Sequence, residues 1–176
     1  MRKLIFLAAP LVLGATPALA QSATGTVSID GFVSERCLFT LPNAVIHLNE
    51  ISQTGSGAGA GTLNAGAVNG RTATLTAWCN GTSASMTVET TELTLQSPPA
   101  SIPSGFVTRV DYGADATANA VTATDDSLVA GAGSAVTVGL FSGNVDVELK
   151  NASTASGLLV AGTYTGNVKV TLSPAT

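Results

Sequence analysis

The feature that most constrains the fold of this chain is the alternation of apolar and polar residues in residues 162–172. Tyr164, Val168, Val170 and Leu172 fall on one side of this segment, and the other side carries mostly threonine and lysine. A period of two places successive side chains on opposite faces of a β-strand, whereas an amphipathic helix requires a period near 3.6. The segment is therefore predicted to be a strand with one buried face.

The same kind of pattern recurs along the chain, between turns rich in Gly, Asn and Asp. About eight strands are predicted after residue 34, in segments 45–48, 71–79, 85–89, 106–112, 120–124, 135–140, 145–149 and 162–172. The Gly, Ala and Ser tract at residues 55–61 is interpreted as a flexible loop, and Asn80-Gly81 predicts a turn with a hairpin-like connection. Many short strands without an amphipathic helix of useful length indicate an antiparallel β-sandwich.

The first twenty residues have the pattern of a secretory signal peptide. Arg2 and Lys3 precede an apolar run from Leu4 to about Ala15, and small residues flank a cut predicted before Gln21. The alternative is a membrane anchor, but a run of about a dozen residues is shorter than the roughly twenty that a bilayer requires. The chain is therefore expected to be exported, with no later segment that spans a membrane.

The chain has two cysteines, Cys37 and Cys79. In a protein routed to an oxidising compartment the default assignment of such a pair is a disulfide. Metal binding is the alternative, but two thiols with the distant His47 do not make a four-ligand site. We therefore predict one disulfide and no metal.

The composition argues against nucleic-acid binding and shows no sign of catalysis. The formal net charge is −4, whereas phosphate binding relies on clustered Lys and Arg. His47 has no evident Ser or Asp partner, and the aspartates at 111, 115, 125 and 126 match no calcium loop, so they are interpreted as solvated turn residues. No enzyme activity, catalytic residue or cofactor is predicted.

The mature N-terminal segment also alternates strictly, which predicts one extended strand of about ten residues. One face carries Ala23, Gly25, Val27, Ile29, Gly31 and Val33, and the other carries Thr24, Thr26, Ser28 and Asp30, with Phe32 interrupting the polar face. Such a segment is either the first strand of its own sheet or a strand available to another chain.

Several of these segments together resemble the chaperone-usher pilins. The run of residues 25–33, followed by Cys37, is similar to the N-terminal extension and first strand of that family. Residues 45–51 resemble its next strand, residues 75–79 its second cysteine strand, and residues 161–172 its closing strand, including that of the spore-coat-U-like branch. The middle of the chain, from about residue 90 to 157, matches only in its β character.

The resemblance implies an immunoglobulin-like sandwich that lacks its last strand. Residues 1–20 are then the signal peptide, 21–34 an N-terminal extension and 35–176 the pilin-like domain. The extension of one subunit fills the groove of the next, which makes these residues the expected donor strand: Gly25, Val27, Ile29, Gly31 and Val33. The acceptor groove is expected beside the terminal strand, at Tyr164, Val168, Val170 and Leu172. The family usually carries an aromatic residue just before the C-terminus, and the absence of one here bears on how a chaperone docks.

Two functions follow as expectations. The first is a structural subunit of a fimbria or surface coat, serving cell adhesion, with other pilin subunits, a periplasmic chaperone and an outer-membrane usher as implied partners. Such a protein passes through the periplasm and ends at the cell surface or is secreted. The alternative is a self-complete secreted or periplasmic sandwich that binds carbohydrate or another surface component as a monomer.

Overall fold

The computed structural model describes residues 22–175; the predicted signal peptide at residues 1–20 lies outside the described residues. Contacts divide the chain between Val33 and Ser34. Residues 22–33 belong to no strand, and Val27, Ile29 and Val33 are each at least 84% exposed. The strand predicted here is therefore not formed, because an extended segment becomes a strand only when another edge pairs with its backbone groups. Its role as a donor strand stays a prediction.

From residue 34 the described chain forms ten strands and one short helix. In chain order these are β1 (Cys37–Leu41), α1 (Ala65–Val68), β2 (Thr72–Cys79), β3 (Ser85–Leu95), β4 (Phe106–Val107), β5 (Arg109–Ala118), β6 (Val121–Asp126), β7 (Val136–Thr137), β8 (Phe141–Ser153), β9 (Leu158–Leu159) and β10 (Tyr164–Ser173). The disulfide joins Cys37 to Cys79. The predicted all-β sandwich and its disulfide are both confirmed.

The strands form two antiparallel layers that share β5. In the first layer the neighbours are β1, β2, β8, β5 and β6 in that order. In the second, β3 lies between β10 and β7. The start of β5 pairs with β3 through Val110 opposite Leu93 before β5 continues into the first layer. A separate parallel pair joins β4 to β9.

The core lies between the two layers and is built from alternate residues of each strand. Met86 and Val88 of β3 and Val145 of β8 are fully buried. Burial of an aliphatic side chain of this size contributes roughly 1.5–3 kcal/mol. In β2, β3 and β8 the outward positions are mostly Thr, Asp, Glu and Lys, so the period-two pattern in the sequence correctly indicates which face of these three strands is inside.

Two further predictions about local structure are wrong. Residues 45–48 form no strand, because no neighbouring edge pairs with them in the described chain. Asn80-Gly81 does not make a hairpin: β2 pairs with β1 and β8, whereas β3 pairs with β10, β5 and β7. The connection crosses from one layer to the other, so the strands on either side of it are not neighbours.

Candidate functional site

Edge strands of the described sheet include β1 and β10, beside β6 and β7, and each of these four pairs with one neighbour alone. The strand order begins with β1 and ends with β10, so each of them pairs on one side only within the described residues. β10 is ten residues long and pairs with β3 through most of its length. Its other edge therefore presents a row of backbone donors and acceptors that a further strand could pair with.

The edge strands β1 and β10 run in opposite directions. β1 starts at Cys37, which lies opposite Cys79, and β10 ends at Ser173, opposite Ser85. The backbone N–H of Ala175, just beyond β10, donates a hydrogen bond of 3.0 Å to the carboxylate of Glu35, just before β1. The start of β1 and the end of β10 therefore lie at the same end of the sandwich.

A groove of about 640 Å³ opens between these edges. One wall consists of residues 42–46 and Leu48, which follow β1, and the other of residues 166–170 in β10. Its floor includes the following core residues: Leu75, Leu93, Tyr112, Val147 and Leu149. The last four are 4–7% exposed, whereas Met86, Val88, Val110 and Val145 are 0% exposed. The groove therefore reaches the hydrophobic core of the sandwich.

The wall formed by residues 42–48 has unpaired backbone groups. No backbone–backbone hydrogen bond involves these residues within the described chain. Ile46 and Leu48 are half-buried and pack against the core, while Val45 is 73% exposed. The backbone groups of this wall are therefore not used for pairing within the described chain.

The structure places two of the four residues predicted on the terminal strand in the groove. Val168 and Val170 line it, whereas Tyr164 and Leu172 pack against the core in the same strand outside the groove lining. Between the two valines, Lys169 is exposed, and its Nζ lies 3.2 Å from a carboxylate oxygen of Glu89 on β3. β10 thus has an apolar inner face and a polar outer face with one charge, that of Lys169.

Tyr112 is the main polar side chain in the floor. It is buried, and its hydroxyl donates a hydrogen bond of 3.2 Å to the backbone carbonyl of Asn167, where β10 has a bulge between Thr165 and Asn167. Burial raises the pKa of Tyr112 to about 12, although the hydrogen bond to Asn167 acts in the opposite direction. The tyrosine is therefore neutral at ordinary pH and ties the floor of the groove to its β10 wall.

We expect this tyrosine to make the fold sensitive to alkali. Below about pH 10 Tyr112 is protonated in both the folded and the unfolded chain. Its pKa is about 10 when unfolded and about 12 when folded, so between these values the unfolded chain releases the proton first and the folded state loses stability as the pH rises. The loss specific to Tyr112 should be about 1 kcal/mol at about pH 11. Urea unfolding of the wild type and of Tyr112→Phe at pH 8 and at pH 11 measures this loss. Both proteins retain Tyr164, so the difference between them reports Tyr112 alone. An equal loss in both proteins would contradict the assignment.

The lining of the groove is mostly apolar. Among the described residues there is no group of three or more His, Cys, Asp or Glu side chains positioned to hold a metal ion. No helix in the described part of the chain is long and apolar enough to cross a membrane. The groove offers apolar contacts and backbone hydrogen bonds, which suit an extended peptide.

Of the residues that line the groove, the sequence prediction of an acceptor groove named only Val168 and Val170. Leu93, Tyr112 and Leu149 lie on β3, β5 and β8, and only the pairing order brings these strands together. The sequence predicts a strand at residues 145–149, but not that Val147 and Leu149 border a groove.

Comparisons of the chain with protein-family profiles, with characterised proteins and with solved structures find no match. The resemblance to chaperone-usher pilins therefore rests on the sequence motifs. A function has to be argued from the groove and from the segment that precedes the sandwich.

Proposed function

We propose that this protein is a structural subunit of a fimbria or surface coat, in which the N-terminal segment (residues 22–33) of one copy occupies the groove of the next. The observation that carries the proposal is the groove itself, which opens onto the core between two unpaired edges. Addition of one strand would pair the free edge of β10 and cover the apolar floor.

The N-terminal segment has the properties such a guest needs. Val27 and Ile29 are 86% and 91% exposed, so they are available to another chain. Burial of each would contribute roughly 1.5–3 kcal/mol to the association. Gly25 and Gly31 lie on the same face of the segment, where the lack of a side chain allows a neighbouring backbone to approach closely.

Such a subunit would need other proteins for its export and assembly. The chain would be exported through the periplasm, where an open groove exposes apolar surface that invites aggregation. A periplasmic chaperone would shield the groove until an outer-membrane usher adds the subunit to the fibre, and the fibre would serve adhesion. The last apolar residue of β10 is Leu172, so a chaperone would have to use aliphatic rather than aromatic contacts at that end.

The test is the oligomeric state of the mature protein, with and without residues 21–33. We expect ladders of intact chains that vanish on truncation, and we expect the truncated chain to bind a synthetic peptide of residues 22–33. A monomeric intact chain that merely unfolds on truncation would assign the segment to its own sheet. The monomeric carbohydrate-binding sandwich would then be the better account.

A further inference from the structure

If the groove accepts residues 22–33, the chain's own segment competes with that of a neighbour for the same site; the inference that follows rests on the proposed function. The segment joins the sandwich at Ser34, beside the start of β1. The groove walls begin only past that point, at Phe39 and residues 42–48. If all of residues 22–33 as far as Val33 enter the groove of the same chain, the chain must therefore reverse direction within residues 34–36 and run back alongside β1.

Asn80 holds the backbone at this point of reversal. Its side-chain oxygen accepts a hydrogen bond of 2.5 Å from the N–H of Arg36, and its side-chain nitrogen donates one of 3.1 Å to the carbonyl of Ser34. Its own backbone N–H donates to the carbonyl of Arg36 at 3.0 Å. We call Asn80 with residues 34–36 the base clamp.

Two further contacts restrain the base clamp. The carboxylate of Glu35 accepts the N–H of Ala175 at 3.0 Å. One residue beyond Arg36, the disulfide joins Cys37 to Cys79, which is next to Asn80 in the chain. Residues 34–36 are therefore held on one side by the connection after β2 and on the other by the chain beyond β10.

The base clamp opposes a tight reversal. A turn that folds the segment back onto β1 would need new backbone torsion angles at residues 34–36. The carbonyl of Ser34 and the N–H of Arg36 would then leave Asn80, because both of its side-chain bonds depend on the present path of the backbone. Entry of the segment into a neighbour's groove requires no such change.

We propose that Asn80 is a positioning residue: it keeps the N-terminal segment out of the groove of its own chain and thereby available to a neighbouring copy. Its partner is a second copy of this chain. Loss of the base clamp would favour a self-filled monomer over a fibre.

The experiment measures the affinity of a fluorescent synthetic peptide of residues 22–33 for the mature chain, under conditions where light scattering shows monomers. In Asn80→Ala two hydrogen bonds that oppose self-insertion are lost. The apparent affinity should therefore fall about tenfold, since the chain's own segment occupies the groove for much of the time. Deletion of residues 21–33 should remove the difference between the variant and the wild type.

Asn119→Ala is the matched control, because Asn119 also bonds a backbone carbonyl, that of Val138 at 2.8 Å, but away from the groove. It should leave peptide affinity unchanged. If Asn80→Ala does not fold, Asn80→Asp serves, since it retains the acceptor for Arg36 and loses the donor to Ser34; a smaller loss is expected.

The possible outcomes separate the two proposals. Equal affinity of Asn80→Ala and wild type, or a loss that persists in the truncated chains, overturns the positioning role. Failure of the truncated wild type to bind the peptide overturns the proposed function itself.

Discussion

Removal of the Cys37–Cys79 disulfide, by Cys37→Ala with Cys79→Ala, is expected to lower the free energy of unfolding by about 4 kcal/mol. The two cysteines are 42 residues apart, so the bond restricts a long loop of the unfolded chain. A loss of this size is a large share of the roughly 5–15 kcal/mol that stabilises an ordinary domain.

The loss of stability should be greatest at β1 and at the groove wall that follows it. β1 has five residues and pairs with β2 alone, so the disulfide fixes its start. Without the bond, β1 and the following wall, residues 42–48, should fray before the rest of the sandwich does.

Urea unfolding of the double variant measures the loss, and wild type unfolded in the presence of a reductant is the control. The reduced wild type lacks only the covalent bond. The double variant also lacks both sulfur atoms, and because Cys79 is buried, its midpoint should be slightly lower than that of the reduced wild type. A loss below about 1 kcal/mol would mean that the disulfide restrains the unfolded chain far less than the loop-entropy account requires.

The sequence predicts the strands of this fold better than their arrangement. Residues 71–79 and 162–172 alternate clearly, and β2 and β10 lie within them almost to the residue. Alternation identifies which face of a strand is buried, because a one-residue shift would expose all of its apolar side chains. It carries no information about which other strand lies alongside.

The sequence pattern does not show which strands are neighbours, and this explains the wrong predictions of local structure. Asn80-Gly81 is a common hairpin signal, but here Asn80 uses its side chain to hold residues 34–36, and the chain crosses between layers. Residues 45–48 have strand composition but no edge to pair with. The groove floor could not be derived either, because Leu93, Tyr112 and Leu149 are brought together only by long-range pairing.

The base clamp and the N-terminal segment differ in their contacts. The hydrogen bonds of Asn80 and Glu35 restrain residues 34–36, whereas Val27 and Ile29 are exposed and paired with no strand. A segment that is hydrogen-bonded at its base and has exposed apolar side chains is suited to bind in the groove of a neighbouring copy. Its exposed side chains should therefore affect assembly far more than the stability of the isolated chain.

The double substitution Val27→Asp with Ile29→Asp should abolish assembly and leave the fold intact. Both side chains are almost fully exposed, so the free energy of unfolding should change by less than about 0.5 kcal/mol. In the groove, each aspartate would lose the roughly 1.5–3 kcal/mol of its apolar predecessor and place a charge against an apolar floor. Association should therefore weaken by roughly a thousandfold or more.

The matched control is Thr26→Asp with Ser28→Asp, which adds the same charge to the other face of the same segment. These side chains would remain in water when the segment fills a groove, so ladders of chains should persist. Light scattering and gel analysis of both variants, with urea unfolding to verify the fold, give the comparison. If both double variants lose assembly equally, charge repulsion is the cause. If neither loses it, Val27 and Ile29 do not enter the groove.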